Sequence, residues 1–166
     1  IAGTNGKGST LAFLESVLRA SGLKVDSYIS PHLVNFNERI RLDGHPISDQ
    51  YLNDLLNQCE LSNSGGPITF FEITTAAALL AFKNSGADIL ILEVGLGGRL
   101  DATNVISKPV CCAVTSISID HTQYLGKTIK KIAREKAGIL KPGVPAIIGT
   151  QKTGANLVIQ EYAKII

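Results

Sequence analysis

The residues with the clearest chemical meaning open the chain: Gly3-Thr4-Asn5-Gly6-Lys7-Gly8-Ser9. A glycine-rich turn running into a helix points backbone N–H groups at an anion, and the helix dipole adds to the attraction. Lys7 offers a point charge for β- and γ-phosphates, and Ser9 or Thr10 offers a hydroxyl near Mg2+. Glycines alone would serve chain reversal equally well. A Lys and hydroxyl residues at the mouth of a helix favour a grip on ATP through Thr4, Asn5, Gly6, Lys7, Gly8, Ser9 and Thr10. The spacing departs from G-x-x-x-x-G-K-[ST], since Ile1 holds the first Gly position and Gly8 separates Lys7 from the hydroxyls. That departure argues against an ordinary GTPase or small-molecule kinase.

Further groups fall where apolar runs stop. Glu93 closes Ile89-Leu90-Ile91-Leu92, and Asp120-His121 closes the run 110–119. By itself Glu93 is equally a solvated strand-end carboxylate, and a lone His in such a place is more often a hydrogen-bonded structural residue. Ser30 before Pro31 reads equally as a turn former, with His32 and Asn37 in the same loop, and Lys136 as a solvated helix lysine. Gly95 to Asn104 forms a glycine-rich connector directly after Glu93.

The elements that must position these groups alternate β-rich runs with helical patterns, the signature of an α/β domain with a mostly parallel sheet flanked by helices. A helix from about Ser9 carries Leu11, Leu14 and Leu18 and ends before Gly22. Residues 24–29 read as a strand. Residues 38–45, with Asp43-Gly44, read as a small hairpin. A helix follows Ser48, and Thr69-x-x-Glu72 reads as a capping box opening another. Residues 89–93 and 110–119 read as central strands, 128–139 as a helix and 145–148 as a strand, with a helical pattern to the end. Open α/β sheets bind ligands at the carboxyl edges of their strands, where the chemistry-bearing residues fall.

The 166 residues carry a net charge of +2, too small to indicate nucleic acid or an acidic membrane surface. No apolar run approaches the roughly 20 residues of a membrane span. Cys59, Cys111 and Cys112 read as buried free thiols, an odd set without C-x-x-C spacing, which points to a reducing, cytoplasmic setting. The chain begins without Met inside an apolar segment and stops after a helical pattern, as expected of one domain, 1–166, of a longer protein.

Taken together, AGTNGKGST at 2–10, SPHL at 30–33, FNERIR at 36–41, TFFEITT at 69–75, LEVGLGGRLDATN at 92–104, TSISIDHTQYLG at 115–126 and REKAGI at 134–139 are collinear over most of the chain. The sequence resembles the folylpolyglutamate synthase and dihydrofolate synthase family of the Mur ligase superfamily. The resemblance implies the Mur ligase central ATPase domain, with an upstream segment and a C-terminal glutamate-ligase domain outside this stretch. It also implies ATP-dependent transfer of phosphate to a folate or dihydropteroate carboxylate, followed by attack of L-glutamate. Lys7, Lys136 and His121 would then be catalytic. Ser30, Glu93, His121 and a carbamylated Lys136 would serve the metal. Thr69, Phe70, Leu100, Asp101 and Ala102 would line the pterin pocket, Asp101 by accepting from pterin N–H groups and Phe70 by stacking. The implied cofactors are ATP and Mg2+, with a monovalent cation such as K+ as an optional third, and the implied state is a monomer. Against this stand a peptidoglycan-type Mur ligase, disfavoured by Gly8 and the LGGRLDATN loop, and a nucleotide-binding module without catalysis.

Overall fold

The computed structural model describes residues 1–166, which pack as two compact units. One comprises Ile1–Thr10 and Glu93–Ile166, and the other is Leu11–Leu92. Helix α1, Lys7–Ala20, crosses the boundary between Thr10 and Leu11.

In the first unit, β5 (Cys112–Val114) runs parallel to β6 (Ala146–Ile148) in the register Cys112 to Ala146. Ala2 joins Val114 by a parallel bridge. Helices α5 (Ile129–Ala137) and α6 (Thr153–Ile165) cover this small sheet. Their apolar faces bury Ile132, Ala133, Ala155 and Ile159 together with Ala2 and Val114. Thr128 starts α5 by accepting a hydrogen bond from the Lys131 N–H at 3.3 Å, which satisfies one of the donors a helix leaves open at its start. A single turn, α4 (Thr122–Leu125), follows His121.

In the second unit, β1 (Val25–Tyr28), β2 (Ile40–Leu42), β3 (His45–Pro46) and β4 (Ile89–Leu92) form one sheet in the order β3-β2-β1-β4. The β1–β4 pair is parallel and the β2–β3 hairpin is antiparallel. The hairpin turns at Asp43 and Gly44, φ 47° and 76°, the two positive angles of a type I′ turn. Helices α2 (Asp49–Asn63) and α3 (Phe70–Ser85) bury Leu52, Leu55, Ala77, Ala78 and Phe82 against Tyr28 and Ile40. Small alanines on α3 let it lie close to its neighbours. The buried Asp26 carboxylate accepts from the Asp43 N–H at 3.0 Å and from the Ser85 hydroxyl, so it ties the hairpin turn to the end of α3.

Two details differ from the sequence reading. Only Cys112–Val114 of the run 110–119 joins a ladder, because residues 115–118 spend their hydrogen bonds on the phosphate-type loop and on the Gln151 side chain. Of the three free thiols only Cys112 is buried; Cys59 is half-buried and Cys111 is exposed. Neighbouring side chains at a strand point to opposite faces, so adjacent cysteines there cannot both face the core. No helix is long and apolar enough to cross a membrane.

Candidate active site

Residues 2–5 are stitched to residues 113–118. The Ala2 N–H donates to the Ala113 carbonyl and the Thr115 N–H to the Ala2 carbonyl, both at 2.8 Å. The N–H groups of Thr4 and Asn5 both reach the Ser116 carbonyl, at 2.9 and 3.3 Å. The Thr4 hydroxyl donates to the Ser118 carbonyl and accepts from the Ser118 N–H, at 3.2 and 3.1 Å. Asn5 adds its amide to the Ser118 hydroxyl at 3.2 Å. Gly3 sits at φ 152°, and a Cβ there would lie 1.8 Å from Thr115 Oγ1. Only a residue without a side chain fits.

The loop then enters α1. The Thr10 N–H donates to the Gly6 carbonyl at 2.9 Å, so the amides of Lys7, Gly8 and Ser9 precede that first helical bond and carry the positive end of the helix dipole. The Thr10 hydroxyl returns to the same Gly6 carbonyl at 2.8 Å. Of the two hydroxyls weighed for the metal, Ser9 is the one not committed to this bond.

Glu93, 4 % exposed, lies at the end of the β4 segment with the Lys7 ammonium 3.9 Å from its Oε1. A Cβ on Gly8 would stand 3.9 Å from Glu93 Oε2. The inserted glycine therefore leaves open the space in front of the carboxylate that a side chain would fill. A buried carboxylate oxygen beside a cradle without a side chain suits a hard divalent cation. Glu93 stands there without a cluster around it, for no three His, Cys, Asp or Glu side chains gather as a metal site.

Lys136, read from the sequence as a solvated lysine unless the resemblance held, is 4 % exposed. Its ammonium donates to the Gly3 carbonyl at 2.8 Å, so the last turn of α5 reaches the loop directly. Burial, with repulsion from Lys7, lowers its pKa to about 8, against a smaller upward pull from Asp120 and Asp101. His121 is half exposed at φ 48°, caps α4, and stands 3.6 Å from Asp120 Oδ2 through its Nε2.

The connector after Glu93 is anchored on α5. Arg99 N–H donates to the Glu135 carbonyl at 2.8 Å, its guanidinium pairs with Glu135 at 3.1 Å, and the Asn104 amide reaches the Gly138 carbonyl at 3.1 Å. Asp101 is buried and turned into its own loop. One oxygen accepts from the Leu96 N–H at 2.9 Å and the other from the Thr103 N–H and hydroxyl at 2.9 and 2.6 Å. Its carboxylate organises the loop, a task that hydrogen-bonding inventory alone did not reveal. Leu100 is exposed and Ala102 half-buried beside it.

The remaining candidates belong to the second unit. Ser30 precedes Pro31 at the end of β1, half-buried. Thr69 caps α3: its hydroxyl accepts from the Glu72 N–H at 3.2 Å while Glu72 accepts from the Thr69 N–H at 2.8 Å. Phe70 is 65 % exposed, and its ring meets Phe36 edge-on at 5.7 Å. His32 accepts from Arg39 at 3.0 Å, and the Asn37 amide is spent on the Ile47 carbonyl and Asp49, both at 2.8 Å. Sequence reasoning quoted Thr115 and Ser118 within a motif without giving either a role in holding the loop, and it missed Gln151, which bonds to the segment behind it. Their polar side chains in an apolar stretch and after a strand were the available signal.

Residues 1–164 match the model of the Mur ligase middle domain. The chain belongs to the Mur ligase family, in its folylpolyglutamate and dihydrofolate synthase branch. It is 48 % identical over 168 residues to the dihydrofolate synthase/folylpolyglutamate synthase of Escherichia coli K12, covering all of this chain and 40 % of that protein. With the human mitochondrial folylpolyglutamate synthase it shares 43 % over 173 residues, covering 30 % of the relative. Among solved structures, E. coli FolC in complex with DHPP and ADP superposes with a TM-score of 0.93 at 43 % identity, over 99 % of this chain and 39 % of that one. The chain thus spans between 30 % and 40 % of the length of these relatives.

Proposed function

We propose that this chain is the ATP-binding portion, 1–166, of a longer ligase that joins L-glutamate to a folate or dihydropteroate carboxylate at the expense of ATP, with Mg2+. The observation that carries this reading is the convergence of Lys7, Lys136 and the buried Glu93 on one glycine-rich helix entrance. Its relatives support it: the matched structures include an FPGS–AMPPCP–folate complex and a bifunctional synthase with Mn, AMPPNP and L-glutamate bound.

In this reading the amides of Gly6 to Ser9 and the helix dipole hold the phosphate chain, with Thr4 and Asn5 fixing the loop's approach and Thr10 its first turn. Lys7 neutralises charge that builds on the γ-phosphate as a substrate carboxylate oxygen attacks it and ADP departs. The glutamate amine then attacks the acyl carbon, and phosphate leaves. Glu93 would hold Mg2+, with Ser30, His121 and a carbamylated Lys136 as further ligands. Bound there, the cation would offset phosphoryl charge. A Lys136 amine of pKa about 8 is uncharged often enough near neutrality to capture CO2, which turns a cation into an oxygen donor. His121 and Lys136 act as catalytic groups through that site. Thr69, Phe70, Leu100, Asp101 and Ala102 form the pterin side, Phe70 by its open ring face and Asp101 by shaping the loop that presents Leu100 and Ala102. The protein works as a cytoplasmic monomer on small molecules, without nucleic acid or membrane.

The test is ADP release by the full-length protein supplied with MgATP, glutamate and either dihydropteroate or tetrahydrofolate. Release dependent on one pterin substrate and on glutamate is the expected result. ADP release indifferent to both would overturn the ligase reading.

A further inference from the structure

Gln151 lies in the loop after β6, outside every motif that marks the site. Its side-chain amide makes two hydrogen bonds to one segment: Nε2 donates to the Thr115 carbonyl at 2.7 Å, and Oε1 accepts from the Ile117 N–H at 3.0 Å.

Those two backbone groups have a particular meaning in a parallel ladder. With Ala2 bridged to Val114, the pairs already present are Ala2 N–H to Ala113 O and Thr115 N–H to Ala2 O. The next rung of a regular parallel ladder would send the Thr4 N–H to the Thr115 carbonyl and the Ile117 N–H to the Thr4 carbonyl. Gln151 occupies both of these positions on the 115–117 segment. The Thr4 N–H goes instead to the Ser116 carbonyl, one residue further on, and is joined there by the Asn5 N–H. The slip falls directly after Gly3, whose φ of 152° and lack of room for a Cβ beside Thr115 mark the point where the chain leaves the sheet.

We propose that Gln151 is a positioning residue for the nucleotide grip: its amide stands in for the N–H and C=O of Thr4 and ends the ladder, so that the chain after Gly3 peels away from the sheet and the amides of Gly6 to Ser9 stay outside it. Without that amide, the Thr115 carbonyl and Ile117 N–H compete for the N–H and C=O of Thr4 and draw the loop back into the ladder, because buried backbone groups do not go unpaired. The side-chain amide is suited to the role, since its oxygen accepts while one of its two N–H groups points to the same side and donates, as the N–H and C=O of one extended residue do. This inference rests on the reading of residues 3–10 as a phosphate grip.

The experiment compares Gln151→Glu and Gln151→Ala with the full-length parent by equilibrium binding of MgATP and MgADP. Val158→Ala, which trims a side chain packed on the same core, serves as a control of similar structural cost. Gln151→Glu keeps the shape but turns the donor into a carboxylate facing a carbonyl. Both Gln151 variants are expected to weaken nucleotide binding by about tenfold or more, while Val158→Ala changes thermal stability and leaves affinity alone. A second measurement holds without nucleotide: in Gln151→Ala exchange of the Asn5 amide rises by a similar factor, while the Thr4 amide, returned to the ladder, stays protected. Unchanged affinity and exchange, or an equal affinity loss in Val158→Ala, would refute the assignment. A parent protein that binds neither nucleotide would overturn the nucleotide reading itself, and this inference with it.

Discussion

Lys136 shows how much one side chain can carry. It is buried, its ammonium is satisfied by the Gly3 carbonyl, and its pKa is lowered from 10.5 to about 8, first by desolvation. Between those values the unfolded chain binds more protons at this residue than the folded one. The stability linked to the group is therefore complete above pH 10.5 and is lost as pH falls through 8. At neutral pH the buried charge costs roughly 3 kcal/mol. In metal-free buffer, Lys136→Met is expected to gain stability over the parent at pH 7 and to lose most of that advantage by pH 10.5, as read from urea midpoints. A difference that stays flat with pH would contradict the burial argument. A lysine kept at such a cost fits a task that needs an uncharged amine.

At the scale of elements, the helix starts were plain in the residues and the strand ends were not. Ser48 was read as preceding a helix, and its hydroxyl indeed accepts from the Tyr51 N–H at 3.2 Å at the head of α2. Ser48→Ala is expected to cost about 1 kcal/mol, visible as a lower thermal midpoint with nucleotide binding unchanged; no loss would mean that water replaces the cap. The capping box at Thr69 and the Asp43-Gly44 turn were equally legible, because each is a local hydrogen-bonding or backbone rule written in three or four consecutive residues. The run 110–119 was overread as a strand. Its apolar pattern is genuine, but what becomes of its backbone beyond Val114 is decided by Thr4 and Gln151, partners more than thirty residues away in either direction. The site divides in the same way. The loop, Glu93 and Lys136 could be named from spacing and resemblance, whereas the inward turn of Asp101 and the stitching by Ser118 depend on long-range packing that no local pattern encodes.

At the scale of the whole molecule, the unit that carries the proposed nucleotide grip is built from both ends of the stretch, Ile1–Thr10 and Glu93–Ile166, with Leu11–Leu92 forming a unit of its own. Saturation with MgATP is expected to slow amide exchange chiefly at residues 3–10 and 113–118, while the sheet of β1 to β4 changes little. At a hundred times the dissociation constant the same ligand adds about 2.7 kcal/mol of stability. Protection concentrated in 25–92 instead would place the nucleotide elsewhere.

That division also sets an order of events during synthesis. Thr4 leaves the ribosome 114 residues before Ser118, the partner of its hydroxyl. At elongation rates of 5–20 residues per second, that gap is on the order of ten seconds. Through that interval Leu11–Leu92 can already close on its own core, while the opening residues wait for their second half. The loop is translated well before the segment that anchors it, so a nascent chain stalled before residue 118 would hold a folded second unit and a loop still without its anchor.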